Sequence, residues 1–253
     1  MAPGHSQVVT YDTAGSTYSQ NFNTMVTSGS AAWTNGSTIN GWYFATTTGA
    51  APTQMVATNG SSGVTNFPLS LGDDSDRALG AQSPSLGGSG TNVMYYGVAL
   101  ANDTGATLSV IDLSYTAEQW RVVQADSADI VTLQYQIFDA GTGSLSAGSG
   151  WTSISLGFTS PIVGAPTGAL NGDLPANQVL VAGSAMGLAW GDGQELWLRW
   201  GDHNVRPTNS DPEQRQMLGI DDINFQAVPE PATVFLAGLA AALILFKTRR
   251  RIN

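Results

Sequence analysis

Ser109-Val110-Ile111-Asp112-Leu113-Ser114-Tyr115-Thr116-Ala117 places Ile111, Leu113 and Tyr115 on one side of an extended chain and Asp112, Ser114 and Thr116 on the other. Side chains of a strand point alternately to its two faces, so this period of two makes one face apolar and the other polar. Such a stretch is a half-buried antiparallel strand. The alternation recurs in 92–100, with Met94, Tyr96 and Val98 on one face, and in 131–137, with Leu133 and Tyr135. No apolar period of 3.6 residues extends beyond about ten positions before Ala232, and Thr, Ser, Gly and Asn dominate that region. The pattern predicts an all-β protein.

Turn chemistry divides the strands. Asn35-Gly36, Asn40-Gly41, Asn59-Gly60, Asn171-Gly172 and Asp192-Gly193 are dipeptides that tolerate positive φ. The last lies between Leu188-Ala189-Trp190 and Gln194 to Trp200, which predicts a β-hairpin there. No fixed-period repeat appears, and 253 residues suit one large sandwich domain better than two small ones.

The chain has no cysteine, which excludes a disulfide framework, a thiol nucleophile and thiolate metal sites. Four of its nine basic residues and one of its nineteen acidic residues lie from Pro229 onward, so the preceding part carries a net charge of −13 and no lysine. That balance argues against nucleic acid as a partner, because counterion release needs clustered Lys and Arg.

The C-terminal stretch reads differently. Val228-Pro229-Glu230-Pro231-Ala232-Thr233 is followed by an uncharged run to Phe246 and by Lys247-Thr248-Arg249-Arg250-Arg251. The prolines favour an extended segment over 228–233, with a helix starting just behind it. As a helix, 232–246 covers ~22 Å at ~1.5 Å per residue. That is short for a bilayer core of ~30 Å, but Lys247 can snorkel and the bilayer can thin locally. Lys247, Arg249, Arg250 and Arg251 fix the basic tail, 247–253, on the cytoplasmic side, which places everything before Pro229 outside. Residues 1–6 lack a basic n-region and an apolar h-region, so they are expected to be the remnant of an export signal or a disordered start, with the true start upstream. The expected organisation is a sandwich ectodomain over 7–226 and a sorting segment over 227–253.

In its order of motif, apolar span and arginine cluster, this tail resembles the PEP-CTERM sorting signal of bacterial surface proteins. The resemblance implies recognition by a membrane-embedded exosortase and processing near Pro229-Glu230-Pro231. It also implies delivery through the inner membrane to the cell surface or the exopolysaccharide matrix. Upstream, Phe22-Asn23-Thr24-Met25, Ser37 to Tyr43, Asp76-Arg77-Ala78-Leu79-Gly80, Glu118-Gln119-Trp120-Arg121, Leu198 to Asp202 and Ile220-Asp221-Asp222-Ile223 form a series. It is similar to a jelly-roll module of such surface proteins, which also occurs ahead of nuclease or phosphatase domains. The resemblance implies an antiparallel, lectin-like jelly-roll β-sandwich ahead of the single C-terminal transmembrane helix.

Polar residues in apolar settings supply the candidate sites. Alternation with Ile223 and Phe225 turns Asp221 toward the core, where a carboxylate needs a partner. Arg77, Arg121 and Arg199 are available guanidinium partners, and Ca²⁺ at Asp202, Asp221 and Asp222 is the alternative. Trp120 beside Arg121, and Trp197 and Trp200 beside Arg199, could form a ligand platform or a plain sheet face. Asp73-Asp74-Ser75-Asp76 lacks the glycine and the glutamate of a calcium loop and reads as solvated, with Arg77 tied to it. There is no Gly-x-Ser-x-Gly, His-Glu-x-x-His or phosphate loop, and His203 is expected in a loop. Glu118, Glu195, Asp202 and Asp222 are the carboxylates from which a glycosidase pair would be drawn. The expected function is that of an exported, non-enzymatic surface or matrix protein, with exopolysaccharide binding as its specific form. The alternative is a secreted polysaccharide hydrolase.

Overall fold

In a computed structural model the structure describes residues 7–46, 48–83, 93–123, 128–164, 166–203 and 216–230. The strands in chain order are β1 (Val9–Tyr11), β2 (Tyr18–Gln20), β3 (Ser30–Ala32), β4 (Trp42–Ala45), β5 (Gln54–Thr58), β6 (Leu69–Leu71), β7 (Ala78–Gln82) and β8 (Val93–Asn102). They continue as β9 (Leu108–Val122), β10 (Ile130–Asp139), β11 (Thr152–Thr159), β12 (Gly168–Ala169), β13 (Gln178–Trp190), β14 (Gln194–His203) and β15 (Met217–Val228). Among the described residues the only helical element is a 3₁₀ turn at Pro175–Asn177. The described residues are all-β.

Two sheets share the work. The smaller runs β1-β8-β14-β10-β11, with β4 beside β1 along the same strand β8. The larger runs β12-β9-β15-β7-β6-β5-β3, with β13 on the outer edge of β9 and β2 following β7 along β15. Pairing is antiparallel except for β1 with β8 and β5 with β6, two short parallel additions that depart from the expected all-antiparallel arrangement. The three stretches whose alternation is legible all form long strands, β8, β9 and β10, and their apolar faces meet. Met94, Tyr96 and Val98 of one sheet share a core with Ile111, Leu113 and Tyr115 of the other.

Trp200 lies at the centre of that core. Its ring stacks on Trp42 at 5.8 Å and on Tyr96 at 6.4 Å, and meets Tyr115 edge-on at 5.5 Å. The first two belong to its own sheet and the third to the opposite one, so one indole ties the layers together.

The predicted hairpin at Asp192-Gly193 does not form. Gly193 has the expected φ of +76°, yet β13 pairs with β9 in the larger sheet while β14 lies between β8 and β10 in the smaller. Trp190 explains the switch: its ring is fully buried between the layers, and its Nε1 donates to the Gln194 carbonyl at 2.9 Å. The turn therefore carries the chain across the sandwich.

The boundary also moves. β15 runs to Val228, paired with Val110, so the sandwich takes in the first residue of the segment expected to be extended linker. The predicted membrane helix, 232–246, and the basic tail with Lys247, Arg249, Arg250 and Arg251 lie outside the described residues, as do residues 1–6 and Pro231. Among the described residues no helix is long and apolar enough to cross a membrane.

Trp200→Ala should lower unfolding stability by ~3–5 kcal/mol, since it empties the most shared volume of the core. Arg121→Ala, at a half-buried position, should cost about 1 kcal/mol or less. Urea unfolding of the two variants measures the contrast.

Candidate functional site

The outer faces of both sheets carry a polar motif built the same way. On β14, Glu195, Trp197 and Arg199 share one face, because they are two residues apart. The Trp197 indole donates from Nε1 to Glu195 Oε2 at 2.8 Å, and the Gly141 amide donates to Glu195 Oε1 at 2.7 Å. Arg199 donates from Nη1 to the Leu145 carbonyl at 2.6 Å and from Nε to Gln134 Oε1 at 2.9 Å. Its guanidinium lies between the rings of Tyr95, at 4.2 Å, and Trp151, at 3.8 Å. These contacts clamp the segment 140–151 onto the smaller sheet. Gly143 lies so close that a Cβ there would sit 2.0 Å from Trp197 Nε1.

β9 repeats the device on the larger sheet. Trp120 Nε1 donates to Glu118 Oε2 at 2.9 Å, and Arg121 Nη1 donates to the Gly60 carbonyl at 2.6 Å. A Cβ on Gly172 would come within 2.3 Å of the Trp120 ring. The indoles of Trp120, Trp197 and Trp200 are thus all buried, the first two under loops and the third in the core. They do not make an exposed ligand platform. Spacing alone revealed which residues share a face, but nothing in it indicated that loops cover the outer faces.

Asp221 is turned away from where alternation placed it. Against β9, Asp221 lies opposite Thr116 and Asn224 opposite Ser114, so β15 spends one extra residue there. Asp222 takes that bulge with a φ of +50°. The bulge reverses parity: Leu218 and Ile220 face the core before it, and Ile223, Phe225 and Ala227 after it. Asp221 therefore joins Glu118 on the outer side of the sheet, beneath the loops.

Among the described residues no guanidinium meets it there. Arg77 donates to Ser70 Oγ at 2.9 Å and to the Gly72 carbonyl at 2.5 Å, while Arg121 and Arg199 are held as described. Asp221 is 3% exposed, and its Oδ1 has no hydrogen-bond partner among the described residues. Its buried surroundings favour the protonated form instead, against one backbone hydrogen bond from Asp222 that favours the charge. Burial, and then the nearby Asp222, Glu118 and Asp76, push its carboxyl up to about 8. Burial likewise raises Glu118 to about 7, against the opposing hydrogen bond from Trp120 and helped by the charges of Asp173, Asp76 and Asp222.

The expected calcium set does not assemble. Asp202 is on β14 of the smaller sheet, where Oδ2 accepts from the Ser83 amide at 3.1 Å, whereas Asp221 and Asp222 are on β15 of the larger. Among the described residues no group of three or more His, Asp or Glu side chains converges to hold a metal ion. His203 ends β14 and is not in a loop; it pairs with Thr132 Oγ1 at 2.9 Å, and burial followed by Arg199 lowers its pKa. Asp73 to Asp76 are exposed, as a solvated loop should be, and Arg77, which the sequence did not show to be buried, lies behind them with Nη1 3.4 Å from the Asp74 carbonyl.

Elsewhere the outer face of the larger sheet carries an open groove. A groove of about 400 Å³ crosses β9, β13 and β15, lined by Thr17, Asp112, Ser114, Ser184, Asn224 and Gln226 among others. A smaller hollow beside it shares Asn224 and adds Ser19, Gln20 and Asp222. Hydroxyl and amide side chains line both, beside Leu113, Ala182 and Gly183 in the larger and Ile223 in the smaller.

At the end of β15 stands the other functional element. Ala227 is fully buried; its amide donates to Tyr11 Oη at 2.8 Å, and its carbonyl accepts from the Gly15 amide at 2.7 Å. Pro229 and Glu230, immediately beyond Val228, are exposed. The described architecture is that of an all-β two-layer protein whose last core strand opens directly into its C-terminal segment. Residues 227–251 match the PEP-CTERM protein-sorting motif. No sequence among curated proteins matches the chain.

Solved structures with a similar course include the enzymatically active domain of bacteriophage CBA120 tailspike protein 4, at 11% identity and a TM-score of 0.35, covering 82% of this chain and 22% of that one. The chain thus spans about a fifth of that protein's length. The cleaved adhesin domain of Lys-gingipain from Porphyromonas gingivalis is similar at 16% identity and a TM-score of 0.34, covering 84% and 99%. The CBM22-2 xylan-binding domain from Paenibacillus barcinonensis Xyn10C is similar at 12% identity and a TM-score of 0.35, covering 83% and 99%.

The raised carboxyls set a pH dependence with a definite sign. In the fold Glu118 and Asp221 keep protons that the unfolded chain has lost above its ordinary values of 4.5 and 3.8. Their contribution to stability is complete below those values and is lost as pH rises through about 7 and about 8. Asp221→Asn should remove most of this slope and be more stable than wild type by on the order of 1–3 kcal/mol near pH 8, with little difference near pH 4. Thermal unfolding across that range, monitored by tryptophan fluorescence, checks it; parallel pH slopes would refute it.

Proposed function

We propose that the chain is exported and handed by its PEP-CTERM segment to an exosortase-type enzyme in the inner membrane. Its sandwich is then delivered to the cell surface or the exopolysaccharide matrix as a non-catalytic, lectin-like jelly-roll module. One observation carries the reading: the matched motif at 227–251 begins on the last residues of a core strand, and Pro229-Glu230 stands exposed beyond it. Proline contributes no N–H to a ladder, so Pro229-Glu230-Pro231 presents extended backbone to a processing cleft. On this proposal residues 232–246 span the membrane and hold that segment at its face, and Arg249 to Arg251 keep the tail from sliding outward.

Polysaccharide is the ligand we assign to the sandwich, through the groove over β9, β13 and β15. Its hydroxyls and amides offer both donors and acceptors, which suits sugar hydroxyls. Of the four candidate carboxylates, Glu118, Glu195 and Asp202 are each no more than 4% exposed with a donor on the carboxylate, which leaves exposed Asp222 without a second carboxylate from that set and supports binding over hydrolysis.

Replacing Pro229-Glu230-Pro231 with three alanines should leave insertion intact and stop processing, so that the full-length chain accumulates in the inner membrane. Normal loss of the C-terminal segment in that variant would reduce the tail to an anchor. For the ligand, the wild-type chain should be retained on the organism's own exopolysaccharide without releasing reducing ends. The pair Asn224→Ala and Gln226→Ala should weaken retention about tenfold, near the worth of two ordinary hydrogen bonds. Release of reducing ends would favour the hydrolase, and absence of retention would leave a scaffold.

A further inference from the structure

Strand β13 lies at an edge of the larger sheet. Among the described residues it pairs with β9 alone, so the main-chain groups of its other edge have no strand partner there, while β11 packs on its inner face, where a Cβ on Gly183 would lie 2.7 Å from Leu156. Proteins usually blunt such an edge with charges, prolines or brevity. β13 has thirteen residues and none of these devices: Gln-Val-Leu-Val-Ala-Gly-Ser-Ala-Met-Gly-Leu-Ala-Trp contains no charge and no proline. Val181 and Ala185 pack against the core, whereas Leu180 is 74% and Met186 77% exposed on the opposite face. The ladder with β9 is regular from Gln178 to Met186, so this part of the edge is straight.

Charge decides what can lie against it. Between Ala140 and Gly191 the only charged residue is Asp173, in a chain with a net charge of −10. Two copies meeting by this edge avoid the repulsion that acidic faces impose elsewhere. The arrangement of the edge also fits itself. Leu180 and Met186 stand three residues to either side of Gly183. In an antiparallel pair with a two-fold axis at Gly183, Leu180 falls opposite the partner's Met186, and Ala182 opposite the partner's Ser184. Both exposed apolar side chains are then covered, on the same face, by one self-complementary contact.

We propose that β13 pairs antiparallel with β13 of a second copy about Gly183, extending the larger sheet through a symmetric dimer. The polar groove includes Ala182, Gly183 and Ser184, so the dimer sets two grooves side by side on one continuous face. The interface itself does not depend on what the groove binds.

The test uses the full chain in detergent micelles and three forms of it. Wild type should sediment as a dimer of 26.3 kDa chains. Leu180→Lys with Met186→Lys should sediment as a monomer with unchanged tryptophan fluorescence. If that fluorescence changes, Leu180→Thr with Met186→Thr takes its place, since threonine keeps strand propensity without the apolar surface. Because the chain has no cysteine, Ala182→Cys with Ser184→Cys supplies its only thiols. Opposed residues of an antiparallel pair are about 4.5–5.5 Å apart at Cα, within disulfide reach. Oxidation should give a covalent dimer that reductant dissolves. A monomeric wild type, including one that takes up an unrelated peptide strand, would overturn the proposal. So would a dimer that persists in the substituted chain, which would place the contact in the tail, or a failure of the thiols to link.

Discussion

The pairing of β15 with β9 is the constraint on which the rest of the structure depends. β15 has partners along both edges, with β9 on one side and β7 then β2 on the other. Its Ile223, Phe225 and Ala227 close the core, and Tyr11, 216 residues earlier in the chain, hydrogen-bonds the Ala227 main chain. The two ends of the sandwich are therefore joined at the doorstep of the sorting segment. Such non-local pairing is entropically slow to form, and here it cannot form until the last core strand is available. The sandwich is therefore incomplete until residues 217–228 are free to pair.

One bulge in that same strand organises the polar chemistry. By absorbing an extra residue at Asp222, β15 keeps apolar side chains inward on both sides of it and turns Asp221 to the outer layer beside Glu118. Burial makes both carboxyls hold their protons to higher pH than a free carboxyl does. The matching Glu-Trp pairs on β9 and β14 show a second use of carboxylate: each orients an indole against a covering loop, and each loop brings a glycine to the ring. These residues hold loops down and are not presented to a ligand. What the loops leave bare is the groove over β9, β13 and β15, and the segment beyond Val228 is the one that the sorting motif matches.

Much of this was legible in the residues. Period-two alternation located β8, β9 and β10 with the correct inward faces, because each is long and one-sided. The tail declared itself through the order of prolines, apolar run and arginines. Three things were not legible. Asp192-Gly193 has the chemistry of a hairpin turn, but burial of Trp190 between the layers decides that β13 and β14 join different sheets. The parity of Asp221 depends on a bulge that no local residue type announces. The tryptophans offered as a platform are core and sub-loop residues, since an alternating strand does not say whether its polar face meets water or a loop.

The central claim is that the folded module ends at Val228 and that the segment from Pro229 onward is a separable sorting signal. Intact-mass spectrometry of the protein recovered from the cell surface tests it most directly. The account predicts a mature C-terminus at or beyond Val228, with the apolar run and the arginine cluster gone. A terminus upstream of Ala227 would cut into the β15 ladder and contradict the claim, as would a surface form that still ends in Arg251-Ile252-Asn253.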